Sequence, residues 1–260
     1  MIAYPTTTQI YTLNQMPNRI QLQNIHTVGQ LFANAAIQDV DKAIYPPKQS
    51  LLSRVHLYQG DITQVEVDAI VNAANSTLQG GGGVDGAIHM AAGPALANAC
   101  RELYPGRRPC PTGDAKITPG FQLPSKHVIH AVGPRWSASS DEQTLASQLA
   151  SCYRISLQLA VDNNCKSIAF PLISTGIYGY PIEEATHIAL KETRVFLDGN
   201  TELDHVVFVI FTGRDGDQKI YEKLIPYYFP LGPEGVPEGA AEDVPEGANP
   251  LSGAKGSVDE

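Results

Sequence analysis

Five short runs of the chain are apolar or β-branched at nearly every position: Val55–Tyr58, Ala69–Ala73, His127–Val132, Ser167–Ile173 and His205–Phe211. A strand with one face in water alternates polar and apolar residues, whereas a continuous run must be covered on both faces. Longer amphipathic stretches separate these runs: Val84–Leu103, Asp141–Asn163, Ile182–Leu197 and Asp215–Tyr228. In the second, which follows a Ser/Asp cap signal, Leu145, Leu149, Tyr153, Leu157 and Val161 recur at every fourth position, one face of a helix. Strands that need two covers, alternating with helices that can supply them, predict an α/β fold with a largely parallel sheet. Ligands of such sheets bind beyond the carboxyl ends of the strands, so the loops after the strands are where chemistry is expected.

The flanks read differently. Residues 1–50 are polar and irregular, with one helix candidate over Val28–Ile44 ended by Pro46-Pro47, and are expected to form an N-terminal extension packed on a body spanning residues 51–230. Residues 231–260 repeat Pro-Glu-Gly three times, lack apolar periodicity and are expected to be a disordered acidic tail. The formal charge of the 260 residues is −9. The tail has seven acids and one base, a net of −6, which leaves −3 on the body. No Lys/Arg block is present to displace nucleic-acid counterions, so nucleic acid is not an expected partner. Cys100, Cys110, Cys152 and Cys165 form no CxxC pair, and His127 and His130, three apart in a strand, point to opposite faces, so no metal set is read from them. The N-terminus has no secretory pattern and no stretch reaches ~18 apolar residues, so no membrane span is expected. The setting is read as intracellular and reducing, without distinguishing cytoplasm, nucleus and mitochondrion, and the default state is a monomer.

Two of the loops after strands hold unusual residues. The first runs Asn72-Ala73-Ala74-Asn75-Ser76-Thr77-Leu78-Gln79 into Gly80-Gly81-Gly82-Gly83, and a helix begins at Val84-Asp85. Without Cβ atoms such a run lets backbone N–H groups converge on an anion at a helix N-terminus, and its length suits a diphosphate. It is neither a GxxxxGK[ST] loop nor a GxGxxG fingerprint, so anion binding is expected to rest on backbone donors alone. Asn75 offers a carbonyl and an amide to a ribose hydroxyl pair, and Asn72 reads as a turn-bonding residue. Asp85 and His89, four apart, share a helix face. The second loop, Ser174-Thr175-Gly176-Ile177-Tyr178-Gly179-Tyr180-Pro181, brings more small and hydroxyl-bearing donors to a strand-to-helix turn, with Tyr178 free to cover a sugar or base. Cys100 sits on a buried helix face remote from His89, and Ser174 lacks a GxSxG elbow, which disfavours both as nucleophiles.

The segments Gly60–Pro94, Gly113–Thr118, Val128–Pro134 and Phe170–Gly179, in this order, closely resemble the macrodomains, and among them the MacroD-type ADP-ribosyl hydrolases. The resemblance covers Val55 to Phe229. It implies a three-layer α/β/α fold with a central mixed, mostly parallel sheet that binds ADP-ribose. Asp61 then accepts the adenine amino group beside Ile62, and Phe211 packs on adenine. Asn75 holds the distal ribose, Gly81, Gly82, Gly83 and Val84 with Ser174, Thr175, Gly176, Ile177 and Tyr178 wrap the diphosphate, Asp85 is the catalytic acid and His89 its neighbour. No cofactor and no metal are implied, because the family's zinc-dependent branch has cysteine and histidine ligands around its first loop and this chain has GGGGVDG there.

The implied substrate is an ester at the distal ribose: a Glu or Asp side chain of a mono-ADP-ribosylated protein, or the acetyl group of O-acetyl-ADP-ribose. The loops would place a water in line with the ester, with either Asp85 or the substrate's diphosphate as base. A non-catalytic reader of ADP-ribose is the competing expectation. An acid at position 85 favours the enzyme, since binding alone needs no carboxylate there.

Overall fold

The computed structural model describes residues 19–103, 110–137, 139 and 141–232. In chain order the elements are β1 (Ile20–Gln21), α1 (Val28–Ala33), α2 (Gln49–Leu52), β2 (Val55–Gln59), β3 (Val65–Glu66), β4 (Ala69–Ala73), α3 (Gly83–Ala92), α4 (Pro94–Glu102), β5 (Ala115–Pro119), β6 (His127–Ala131), α5 (Glu142–Asp162), β7 (Ser167–Phe170), α6 (Ile182–Gly199), β8 (His205–Ile210) and α7 (Asp215–Tyr228). The main sheet has the order β2-β8-β7-β4-β6-β5, and β1 pairs with β3 in a separate two-stranded ribbon. Pairing is parallel from β2 through β6; only the edge strand β5 is antiparallel.

Successive residues of the strands enter two different cores, the reason the runs are apolar throughout. Val206, Phe208 and Ile210 of β8 join the side chains of α5, α6 and α7, whereas Val207 and Val209 join Ile88 of α3 and Leu96 of α4 on the other face. The expected three-layer α/β/α architecture with a mixed, mostly parallel sheet is thus observed. Helix α5 follows the fourfold repeat closely, and its N-cap Asp141 accepts from the Thr144 backbone N–H at 3.0 Å.

Three expectations are corrected. The single helix over Val84–Leu103 is two, because Gly93 takes φ +79° and Pro94 opens a new helix at its first turn. The helix expected over Val28–Ile44 ends at Ala33, where Ala35 turns left-handed at φ 55°. The edge strand β5 was not among the expected strands. Within residues 19–50, Ile25, Val28, Leu31 and Ile37 are buried against the body. Of the expected tail, Leu231 and Gly232 donate backbone N–H bonds to Asp39 at 3.2 and 2.9 Å; its remainder, and residues 1–18 of the extension, lie outside the described residues.

Arg194 of α6 ties the N-terminal flank to the body. It is 2% exposed and donates to Tyr228 O at 2.5 Å, Pro46 O at 2.8 Å and Asp198 Oδ2 at 2.8 Å, with its guanidinium 5.0 Å from the Tyr45 ring centroid. Truncation leaves two carbonyls and a carboxylate short of their donor. Arg194→Met is expected to lower unfolding free energy by about 3 kcal/mol, read as a reduced urea midpoint with unchanged slope.

Candidate active site

A cleft of about 520 Å³ opens at the carboxyl ends of the five parallel strands, and each of them supplies a loop to its wall. From β2 come Gly60, Asp61 and Ile62, and from its neighbour β8 come Phe211 and Arg214. Asp61 caps the short turn Ile62–Gln64: its Oδ1 accepts from the Thr63 backbone N–H at 2.9 Å and the Thr63 hydroxyl at 2.8 Å. Phe211 lines the cleft and is 64% exposed, an aromatic face open to a planar ligand. From β4 come Asn75 and the glycines 81–83, from β6 Gly133 and Arg135, and from β7 Ser174, Gly176, Ile177 and Tyr178.

Close backbone approach explains where the glycines fall. Gly82 is the N-cap of α3 and provides no side-chain cap, so the first N–H groups of the helix face the cleft unspent. At Gly86 a Cβ would lie 2.4 Å from Gly81 O, so only hydrogen there lets the glycine run fold over the first turn. On the opposite loop, Ser174 is a non-glycine residue at φ 67°, buried, with its Oγ unpartnered. Strain of this kind is held in place by surrounding structure and concentrates at ligand sites.

Asp85 lies at the floor of the cleft and is 3% exposed. Asn72 Nδ2 donates to its Oδ1 at 2.7 Å and Asn75 Nδ2 to its Oδ2 at 3.2 Å. His89 Nε2 stands 3.5 Å from Oδ1, without a hydrogen bond. Burial, the largest influence, raises the carboxyl above its ordinary value, while the Asn72 bond and the nearby His89 pull it back. Asn72, read from sequence as a turn residue, is instead fully buried and holds this carboxylate. The turn role belongs to Asn75, whose Oδ1 accepts from the Thr77 N–H and hydroxyl at 3.0 and 2.5 Å while its amide also reaches Gly80 O at 2.8 Å.

The comparisons with known proteins agree with this geometry. The family profile described as Macro domain matches residues 71–189. A macro domain-containing protein of Chlorobaculum tepidum is 53% identical over 171 residues, covering 66% of this chain and 95% of that protein. The chain belongs to the macrodomain family. A Xenopus laevis relative named ADP-ribose glycohydrolase MACROD2 is 48% identical over 204 residues, 77% of this chain, and the chain spans about half of that protein, 47%. Among solved structures, a Trypanosoma brucei macrodomain in complex with ADP-ribose aligns with TM-score 0.65 at 38% identity, covering 80% of this chain and 77% of that one.

Most residues expected at the site of this macrodomain line the cleft: Asp61, Ile62, Asn75, Gly81, Gly82, Gly83, Val84, Asp85, Ser174, Gly176, Ile177, Tyr178 and Phe211. Thr175 and His89 do not. Thr175 turns its hydroxyl to Leu172 O at 3.4 Å, and His89 sits behind Asp85. Sequence reading also missed two cations. Arg135 stacks on the Tyr178 ring at 4.7 Å, and Arg214, paired with Asp217, reaches Thr175 O at 3.4 Å. The expectation of backbone donors alone is corrected, because Arg135 and Arg214 both line the wall. Neither stood in a motif that marks it. Nor was the grouping of His89, Cys100 and His130 expected, whose candidate ligand atoms lie within 4.8 Å of one another. Burial pushes the Cys100 thiol up to about 11 and the His130 ring down to about 3, and both His130 nitrogens already face hydrogen-bond partners. A metal there would have to displace those bonds and a thiol proton.

Gly86→Ala tests the close approach. Alanine favours the helix by less than the collision of its Cβ with the Gly81 backbone oxygen costs, so the expected result is a lower melting temperature with faster hydrogen exchange at residues 80–83.

Proposed function

We propose that the macrodomain binds ADP-ribose across this cleft and hydrolyses the ester linking its distal ribose to a Glu or Asp side chain, or to acetate in O-acetyl-ADP-ribose. The observation that carries the reading is Asp85, a carboxylate buried on the cleft floor beside the unspent N–H groups of α3. Adenine packs on Phe211 with its amino group toward Asp61. The diphosphate lies between the glycine run and the Ser174–Tyr178 loop, with Arg214 adding positive charge, and the distal ribose comes to rest against Asn75 and Asp85. The names of the MACROD relatives and the ADP-ribose complex of the T. brucei macrodomain support this direction of binding and chemistry. Partners are then mono-ADP-ribosylated proteins. We read the protein as monomeric and as working where thiols stay reduced, in cytoplasm or nucleus, in keeping with the free, buried thiols of Cys100, Cys152 and Cys165. Among the described residues no helix is long and apolar enough to cross a membrane.

Asp85 orients the attacking water and takes its proton as the ester carbon–oxygen bond breaks; the donors around the diphosphate hold negative charge in place. The alternative of a reader would leave this buried carboxylate without a task.

Incubation with a protein mono-ADP-ribosylated on glutamate, with free ADP-ribose followed by mass spectrometry, tests the reading. Asp85→Asn is expected to lower kcat by about 100-fold or more while ADP-ribose affinity changes by less than about fivefold. Equal losses would reduce Asp85 to a binding residue, and absence of wild-type turnover with retained binding would favour the reader. The pH profile gives a second check. The folded carboxyl titrates above its ordinary 3.8, and only its ionised form accepts a proton. Turnover should therefore fall as pH drops through that raised value, giving an acid limb above 3.8 that is missing from the residual rate of Asp85→Asn.

A further inference from the structure

Behind Asp85, away from the cleft, three strands and a helix close around a chain of polar groups that the reaction itself does not touch. Asn72 on β4 and His130 on β6 are register partners in the sheet, and both are 0% exposed. Asn72 Nδ2 lies 2.7 Å from Asp85 Oδ1 and 3.1 Å from His130 Nδ1. His130 Nε2 lies 3.0 Å from Thr118 Oγ1 on β5 and 3.5 Å from Cys100 Sγ on α4. A side-chain amide nitrogen has two hydrogens and no free lone pair. Facing an ionised carboxylate, it is the nitrogen and not the oxygen of Asn72 that must point at Asp85. Its second hydrogen then needs an acceptor at His130 Nδ1, which leaves the ring proton on Nε2, donated to Thr118. The direction of every bond follows from the charge at one end.

We infer that His130, acting through Asn72, is a positioning residue that fixes the orientation of the Asp85 carboxylate; this rests on Asp85 being the catalytic acid of the reading above. The edge strand β5 completes the chain by accepting the Nε2 proton. Only a neutral ring with an unprotonated Nδ1 serves. A proton on Nδ1 would meet the Asn72 amide donor to donor and release Asp85 to turn. Burial of the ring, 0% exposed and 6.0 Å from the His89 ring, keeps it uncharged. Asn72 Oδ1 is buried without a partner, so the amide is held by its two donated bonds alone.

The experiment uses the full chain. Histidine nitrogens of ¹⁵N-labelled wild type are read by NMR between pH 5 and 8, and His130 is expected as the neutral Nε2–H form throughout. His130→Leu keeps bulk but removes the acceptor; its kcat on the glutamate ester is expected to fall about tenfold while the Kd for ADP-ribose stays within about twofold. His130→Asn places an amide oxygen where Nδ1 stood and is expected to restore most of the loss. A charged or Nδ1–H ring, an unchanged kcat in His130→Leu, parallel loss of kcat and affinity, or an Asn variant no better than Leu would each overturn the inference. The NMR readout requires neither a folded variant nor turnover. If the wild type shows the expected tautomer but no turnover, the hydrolase reading fails and takes the positioning role with it. If it turns over with the wrong tautomer, the network alone fails.

Discussion

Burying a carboxylate is costly unless its oxygens find donors, and the architecture of this site follows from how Asp85 meets that condition. Its place in the first turn of α3 puts it near the positive end of a helix dipole, while the glycine run folds over it and leaves 3% of it exposed. Donors then have to come from outside the helix. Asn72 comes from the strand beneath and Asn75 from the loop that leads into the glycines, one to each oxygen. The two bonds constrain different things. The Asn75 bond ties the carboxylate to the loop that shapes the cleft, and the Asn72 bond ties it to the sheet.

The rest of the cleft shows the same division between fixed and adjustable parts. Asp61 is fixed by its turn, since Thr63 occupies one oxygen twice over. Ile177, Phe211 and the glycines 81–83 are exposed along the cleft. Arg214 lies between these classes: Asp217 anchors its guanidinium, and its reach to Thr175 O joins the loop after β8 to the loop after β7.

Much of this was legible in the sequence because it is local. Continuous apolar runs reported two-sided burial, the fourfold repeat from Leu145 reported α5, and the string Gly80–Asp85 reported a loop that opens a helix. Gly93-Pro94 was legible too, and reading through it joined α3 to α4 in error. The missed features are those made by tertiary contact. Strand β5 mixes Lys116 and Thr118 with apolar residues at an edge, so no continuous run marks it. Asn72 and His130 are separated by the whole of α3, α4 and β5 and become neighbours only through sheet register. Arg135 and Arg214 are ordinary surface arginines until two loops bring them to the same wall.

The strand order has a consequence for how the chain is made. Within the main sheet strand β2 pairs with β8, which lies about 150 residues later in the chain: Val55 lies against Val206. Asp61 and Phe211, carried on the loops that follow these two strands, therefore cannot face one another until nearly the whole body has been synthesised. A nascent chain halted before β8 would hold the glycine loop and Asp85 yet lack the wall that Asp61 and Phe211 form together. Selective ligand capture is thus postponed until β8 has been made, and a bound nucleotide would report that β2 has joined the sheet.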